Sequence, residues 1–590
     1  MRTTDLSLPL ASASTDRPEE AFASAFAAAM RSLHLGAGGE PAAADDVALA
    51  AARVAEAIQA GKTWVDLTAL ASDAPGLIEA VRASPVAADA GSERPDAPLV
   101  LAGERLYLAR YWDYERTLAA SLAQRNRART GIDEARLQAE LDRHFPAGGA
   151  PSPNWQKVAA ATAVLRGLCV ISGGPGTGKT TTVVRILAIL LTLDPELKIA
   201  IAAPTGKAAA RVQESIRLQL DSLKLAPAIA AAMPREPHTI HRLLGFQAGR
   251  TGFRYNRERR LPYDVVVVDE ASMLDLAMAA KLAGALRDDA RLILLGDKDQ
   301  LSSVEAGAVY AGISSERAFS GACLAQLERL TGQPLAGVPA GAQPAALADA
   351  VVWLEHSYRF GLDSALGRLA RAINSGDRAG TLQILSSNEP AIAWSSRFPP
   401  PRVLVEQLMA EFEPYVATVK AKLPAKEVFA AFDRFRVLCS TREGAYGSAR
   451  LGALLAEALR RRLGGAHVAR EWFIGRPVLV TANDYAMRLF NGDVGIVLPD
   501  ASGKPTVHFA GADGAMRAVS PSRLGALQEA MAITVHRSQG SEFVRVAVVV
   551  EPTVVRGLSR ELLYTAVTRA KDGVRLWAQE SALDAGSGKS

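Results

Sequence analysis

Residues Gly173, Gly174, Pro175, Gly176, Thr177, Gly178, Lys179 and Thr180 fit the spacing G-x-x-x-x-G-K-[ST], with Thr181 following. The stretch comes directly after the apolar run "LCVIS" (168–172) and before the helical pattern "TTVVRILAIL". In that setting the glycines let consecutive backbone N–H groups curl around phosphate oxygens, and the helix N-terminus adds positive partial charge. Lys179 would neutralise β- and γ-phosphates, and the Thr180 hydroxyl would ligate Mg²⁺. A second acidic element, "VVVVDEAS", ends an apolar strand with Asp269 and Glu270. Carboxylates at a strand's C-terminal end sit where ligands gather in open α/β sheets. Asp269 can hold Mg²⁺, and Glu270 can orient and deprotonate an attacking water. Gln300, in "LLGDKDQL", offers an uncharged amide suited to sensing phosphate or water. The chemistry is ATP hydrolysis.

Positioning those groups requires alternating strands and helices. Short apolar runs at 168–172, 198–204, 264–270 and 291–297 alternate with helical patterns, which argues a parallel sheet covered on both faces. The alternation resumes at 435–441 and ends at 545–551. Two α/β domains are therefore expected, 154–350 and 351–590. Asn491-Gly492-Asp493 between apolar runs is a hairpin signal, and with "KPTVHFAG" it predicts a small β-barrel over about 472–530. Residues 1–145 show helical spacing and read as a helical docking or scaffolding domain, closed by the Pro/Gly/Ser linker "FPAGGAPSPN" (145–154). The Ala/Gly/Pro-rich region 316–350 reads as an irregular insertion.

Composition narrows the class. The chain has 590 residues, enough for several cores, and a net charge of +5 that alone says little about nucleic acid. No apolar run approaches the roughly 20 residues of a membrane span. The N-terminus lacks the apolar region of a secretory signal. Cys169, Cys323 and Cys439 are too far apart for a disulfide framework or a metal cluster and read as buried hydrophobes in a reducing, cytoplasmic compartment. His238 and His241 stand three apart, but no carboxylate or Cys completes a metal site.

The string "GDKDQLSSVEAGAV" following "DEAS" resembles superfamily 1 helicases, specifically the RecD group of superfamily 1B, the alpha subunits of exodeoxyribonuclease V. Other motifs stand in the same order across 154–571. "NWQ" resembles the Q motif, which implies that Gln156 reads the adenine edge. "APTGKAAARV" and "HTIHRLLGF" resemble strand-contacting motifs, and "SYRF" resembles motif IV, with Arg359 on the triphosphate. "ITVHRSQGSEF" resembles motif V, with Gly540 and Glu542 toward the nucleotide. "LYTAVTRAK" resembles motif VI, with Arg569 as arginine finger. The resemblance implies two RecA-like P-loop domains in tandem, with a small SH3-like β-barrel inserted in the second.

It further implies that one ATP site is divided between the domains, so that closing the cleft completes it and hydrolysis releases it. Thr205, Lys207, His241, Thr534 and His536 become the candidate contacts to single-stranded DNA. The basic, aromatic segment at about 246–263 could separate strands; a solvated basic loop fits it equally. Translocation would run 5′ to 3′. With 21 residues after Arg569, any nuclease is expected in a partner, RecB, with RecC holding both motors on a DNA end and the N-terminal domain docking. Such a complex acts in recombinational double-strand break repair and degradation of linear DNA. Two alternatives stay open: a stand-alone RecD-like helicase, whose N-terminal hairpin repeats are not seen in 1–145, and a DNA-binding ATPase assembly subunit that does not unwind.

Overall fold

The computed structural model describes residues 18–585, apart from 72–73, 93–95, 147–152, 224, 248–251, 303–304, 336–346, 360, 362–363, 465–470, 485–486, 488, 512–514 and 554–557. The N-terminal stretch read against a secretion signal, most of the 145–154 linker and Phe360 of "SYRF" therefore lie outside the described residues.

The chain forms two compact units. The first takes the chain up to Ala120, with Asp275–Lys281 and Ser303–Ala308. Helices Pro18–Gly36 and Ala44–Gln59 pack Met30 against Val47, Ala51 and Val54. The unit is not purely helical. Strands β1 (Trp64–Asp66), β2 (Ala87–Asp89), β3 (Leu99–Ala102) and β4 (Arg105–Leu108) form a sheet in the order β1-β4-β3-β2. Strands of three or four residues are too short to display a period-2 pattern, so the Ala-rich helices dominate the sequence signal.

The second unit holds the rest and contains two parallel sheets. β5 (Leu168–Gly173), β6 (Ile199–Ala203), β7 (His238–Thr239), β8 (Val265–Val268), β9 (Arg291–Gly296) and β10 (Val351–Leu354) pair in the order β10-β5-β9-β8-β6-β7. Every residue of β5 and β8 is buried, as expected for strands covered on both faces. Each buried Val of β8 contributes about 1.5–3 kcal/mol, so a charge at Val267 would break this layer. Helices Trp155–Leu165 and Lys179–Leu193 pack on the sheet through Val158, Val164, Val184 and Leu187.

Two expected boundaries move. Leu137, Leu141 and Phe145 belong to this same core, so the packing break falls at Ala120/Ser121 and not at the linker near 145. Loop composition marks where the chain turns, not where its contacts end. β10 pairs Val351 with Val170 and Leu354 with Gly173 in parallel, so the first sheet continues to Leu354 and the expected cut at 350/351 falls before its last strand. The region expected as an irregular insertion carries a helix, Gly321–Thr331, whose Cys323, Leu327 and Leu330 join the core. Residues 336–346 lie outside the described residues.

The second sheet combines β11 (Ile392–Ser395), β12 (Phe435–Cys439), β18 (Ala532–Thr534), β19 (Phe543–Val549) and β20 (Ala570–Trp577) in the order β11-β20-β19-β12-β18, all parallel. Between β12 and β18 runs an antiparallel sheet of β13 (Pro477–Val480), β14 (Val494–Pro499), β15 (Pro505–Ala510), β16 (Met516–Val519) and β17 (Leu527–Glu529). Its order, β16-β15-β14-β13-β17, leaves β16 and β17 as edges, so the pairing itself describes a sheet and not a closed barrel. Gly492, at φ +96°, returns the chain to β13, its N–H donating to Val480 O at 2.9 Å. The three cysteines are free and buried, and no helix among the described residues is long and apolar enough to cross a membrane.

Candidate active site

β5 ends at Gly173 and the next helix starts at Lys179, so the intervening loop lies at the C-terminal end of a buried strand. Gly176 and Gly178 both sit at φ +78°, a left-handed conformation that costs an L-residue roughly 1–2 kcal/mol. Gly176 is also needed for space. A Cβ there would lie 2.3 Å from the Arg359 Cβ and 2.9 Å from the Ser357 Oγ. The Tyr358 N–H donates to Gly176 O at 2.8 Å, and the Ser357 hydroxyl donates to Pro175 O at 3.1 Å. The segment carrying Arg359 therefore lies directly on the phosphate loop.

A cavity of about 710 Å³ opens above this loop. All six residues expected to carry the chemistry line it: Lys179, Asp269, Glu270, Gln300, Arg359 and Arg569. Gln156, Glu542 and the loop from Gly174 to Thr181 line it too. Gly173 lines a neighbouring cavity of about 290 Å³, while the Gly540 carbonyl accepts from Arg211 Nη1 at 2.6 Å. Lys179 Nζ donates to the carbonyls of Gly173 and Gly174. Gln156 Nε2 donates to Thr177 O at 2.9 Å, so its amide braces the loop from the side expected to read adenine.

The acidic pair is held under tension. Glu270 is a non-glycine residue at φ 53°, which aims its side chain into the cavity mouth at a conformational cost of about 1–3 kcal/mol. Its N–H donates to Asp269 Oδ1 at 2.9 Å. Burial and the neighbouring Glu270 charge push the Asp269 carboxyl up to about 6. Thr180 and Asp269 are hard oxygen donors lining the same cavity, and Mg²⁺ takes one or two such protein ligands beside substrate phosphates, so the residues fit this ion. Among the described residues no cluster of three or more His, Cys, Asp or Glu could hold a metal alone.

Gln300 is 5% exposed and donates to Asp297 Oδ2 at 3.0 Å. Arg569 is 3% exposed, and its guanidinium donates to Thr565 O at 3.2 Å and Ser541 O at 3.3 Å. Burial pushes its pKa down. Arg359 Nη2 meets Glu542 Oε1 at 2.8 Å, while its Nη1 is buried with no hydrogen-bond partner. Burial works against the Glu542 charge, but the guanidiniums of Arg211 and Arg359 prevail and hold its carboxyl at about 2. Arg359 was expected on the second domain. It lies instead on the connection between β10 of the first sheet and helix Ala365–Ser375, whose Leu366, Leu369 and Ile373 enter the second core.

The expected strand contacts stand apart from this cavity. Thr205 and Lys207 follow β6, and His241 follows β7, at the C-terminal end of the first sheet. Thr205 Oγ1 accepts from the Ala208 N–H at 3.2 Å. Burial and the Arg436 charge push the Lys207 ammonium down to about 8, against the pull of Asp433 and Asp493. Thr534 ends β18 and His536 opens the next turn, its imidazole pushed down by burial. The basic segment closes an antiparallel bridge, Phe246 to Phe253, with His241 edge-on to both rings at 6.2 and 5.8 Å. Residues 248–251 within it lie outside the described residues.

Sequence reasoning missed Arg211, Asp297, Tyr358 and Tyr564. Arg211 and Tyr358 line the main cavity, and Asp297 and Tyr564 the neighbouring one. Arg211 falls one helical turn after Lys207, a spacing that could have marked it. All four stand inside strings already singled out, but only tertiary contacts give them partners.

Comparison with known proteins agrees with this geometry. The AAA domain family matches residues 156–306, and the UvrD-like helicase C-terminal domain family matches 529–577. The chain is 39% identical over 566 residues to the RecBCD enzyme subunit RecD of Mycobacterium tuberculosis, covering 91% of this chain and 88% of that one. It is 35% identical to the RecBCD enzyme subunit RecD of Haemophilus influenzae, covering 82% and 78%. It is 30% identical to the ATP-dependent RecD2 DNA helicase of Deinococcus radiodurans, covering 72% of this chain and 51% of that one. With the phosphate loop, the acidic pair and two arginines gathered in one cavity, and relatives of this identity matched over most of their length, the chain belongs to the RecD family of helicases.

Proposed function

We propose that this chain is the ATP-driven 5′–3′ DNA helicase subunit of a RecBCD-type exodeoxyribonuclease V, acting in the cytoplasm on DNA ends during recombinational break repair and linear DNA degradation. The observation that carries the motor reading is the shared cavity. Lys179, Asp269, Glu270 and Gln300 come from the first domain, Arg569 and Glu542 from the second, and Arg359 from their connection.

The loop N–H groups and Lys179 bind and orient the triphosphate. Mg²⁺, held by Thr180 and Asp269, would supply further neutralisation of phosphate charge. Glu270 orients the attacking water and takes its proton, while Gln300 senses the γ-phosphate through its amide. Arg569 stabilises charge on the transferring phosphoryl group, a role that can be worth roughly 10³–10⁵ in rate. It does so only when the second domain approaches, so nucleotide binding favours closure and hydrolysis relaxes it. Alternating grip on a strand at Thr205, Lys207, His241, Thr534 and His536 turns closure into stepping.

Within this reading the inserted antiparallel sheet corresponds to the SH3-like barrel of the family, and the N-terminal unit docks on RecC beside RecB. The 39% identity and 88% coverage of the Mycobacterium tuberculosis subunit, against 30% and 51% of the RecD2 relative, support the subunit over the stand-alone alternative. Duplexes with 5′ or 3′ single-stranded tails test the polarity, with the chain alone and with any partners that purify from its host. Unwinding of 5′-tailed duplex and two large co-purifying partners are expected. Preference for 3′ tails would sink the polarity, and ATP turnover without unwinding in any assembly would favour the non-unwinding alternative.

A further inference from the structure

Helix Gly206–Leu223 starts at the turn expected to hold a strand phosphate and carries Arg211 one turn further on. Lys207 and Arg211 are four residues apart, about 6 Å along the axis and on one face. Arg211 reaches out of the first domain with two contacts. Nη1 donates to Gly540 O at 2.6 Å, and Nη2 meets Glu542 Oε2 at 3.0 Å. Gly540 is left-handed, at φ +67°. The other Glu542 oxygen, Oε1, holds Arg359 at 2.8 Å. One carboxylate therefore joins a first-domain arginine to the arginine on the phosphate loop. Lys571 Nζ stands further off, at 3.8 Å from Oε2.

We propose that Arg211 is a positioning residue that couples strand binding at the Thr205–Lys207 turn to the placement of Arg359 at the nucleotide. The inference rests on the ATP-driven motor reading above. A strand phosphate drawn to Lys207 and the helix N-terminus shifts this helix as a unit, and the two Arg211 contacts carry that shift to Gly540 and Glu542. Glu542 and a nucleotide phosphate compete for the Arg359 guanidinium, so moving the carboxylate changes how readily Arg359 is released. The buried, unpartnered Arg359 Nη1 is a donor available to that phosphate. Arg211 thereby acts through Arg359, and its two-pronged grip is one that Lys cannot reproduce.

The test uses the full chain, with its partner subunits if they purify together, and a single-stranded oligothymidylate as probe. ATP turnover is measured with and without the probe for wild type, Arg211→Ala, Arg211→Lys, Arg359→Ala and the double variant. Removing Arg211 is expected to lower the fold-stimulation of kcat by the strand at least about fivefold, the lower range of site-to-site coupling, with oligothymidylate affinity held. Arg211→Lys recovers only part of the stimulation, and it carries the test if Arg211→Ala does not fold. The double variant is expected to turn over no more slowly than Arg359→Ala alone, since the two residues act in series. Undiminished stimulation in the Arg211 variants, additive losses in the double variant, or a raised KM with unchanged kcat would each overturn the coupling. A wild-type chain whose turnover ignores the strand overturns the motor reading itself, and the coupling with it.

Discussion

Tyr564 of the second domain donates its hydroxyl to Asp297 Oδ2 of the first at 3.2 Å, and the same oxygen accepts from Gln300 Nε2 at 3.0 Å. The residue expected to sense phosphate is thus tied, through one buried carboxylate, to a side chain of the other domain. Asp297 is 2% exposed, and burial pushes its carboxyl pKa up. Tyr564→Phe removes one of three donors to that carboxylate, the third being the Asp299 N–H on Oδ1. A stability loss of about 0.5–3 kcal/mol is expected, more if the carboxylate is left under-satisfied. Because Tyr564 does not line the main cavity, kcat should fall while ATP KM holds. Denaturant titration and steady-state kinetics check both, and an unchanged kcat would remove Tyr564 from the sensing path.

Lys179 Nζ sits within reach of the loop carbonyls and lines the main cavity. Lys179→Gln keeps a polar side chain of similar length but deletes the charge. ATP turnover should fall by at least about 10²–10³, the scale of losing one preorganised electrostatic group. Circular dichroism and the melting temperature should stay close to wild type. Wild-type turnover in this variant would refute the site.

Gly176→Ala meets two obstacles at once, the left-handed φ of +78° and an Arg359 Cβ only 2.3 Å away. The backbone alone costs about 1–2 kcal/mol. The larger effect should be on turnover, because the 357–359 segment must lift from the loop. Combining Gly176→Ala with Arg359→Ala should then lower kcat no further than Arg359→Ala does. Additive losses would show that the glycine serves the loop alone.

Glu542 gives a pH signature. Its carboxyl is held at about 2 in the folded chain against an ordinary 4.5, with its side chain 16% exposed. A depressed carboxylate stabilises the fold above its unfolded pKa and loses that contribution as pH falls toward the folded value. The shift corresponds to stability on the order of 3 kcal/mol near neutrality, lost between about pH 5 and pH 2. The stability gap between wild type and Glu542→Gln should therefore narrow on acidification across that window. Denaturant midpoints for both proteins at several pH values measure it. A gap that widens would contradict the assigned Arg211–Glu542–Arg359 cluster.

Strand contacts through phosphate release counterions. Oligothymidylate affinity should fall linearly with salt on a log–log scale, and Lys207→Ala should reduce that slope by about 0.7, one phosphate contact on a single strand. An unaltered slope would take Lys207 off the strand path.

Legibility in the sequence followed the range of each interaction. The strands at 168–172, 198–204, 264–270 and 291–297 were readable to within a few residues, because a strand buried on both faces must be a continuous apolar run. The phosphate loop, Asp269 and Glu270 were readable because their chemistry depends on neighbours in the chain. The N-terminal strands β1–β4 were not, since three or four residues carry too little pattern to compete with Ala-rich helices. The 145 boundary failed for a related reason: Pro and Gly mark a turn, whereas Leu137, Leu141 and Phe145 are assigned by what they pack against.

By itself, then, the sequence determined the phosphate-loop spacing, the acidic pair that follows it and the family the chain belongs to, for these rest on local spacing and motif order. Only the tertiary structure decided that Arg359 rides on the inter-domain connection, that Tyr564 reaches Asp297, and that Arg211 and Arg359 share Glu542. Those pairs are separated by 183 to 331 residues. No periodicity spans such distances. Folding alone brings the groups within 3.2 Å.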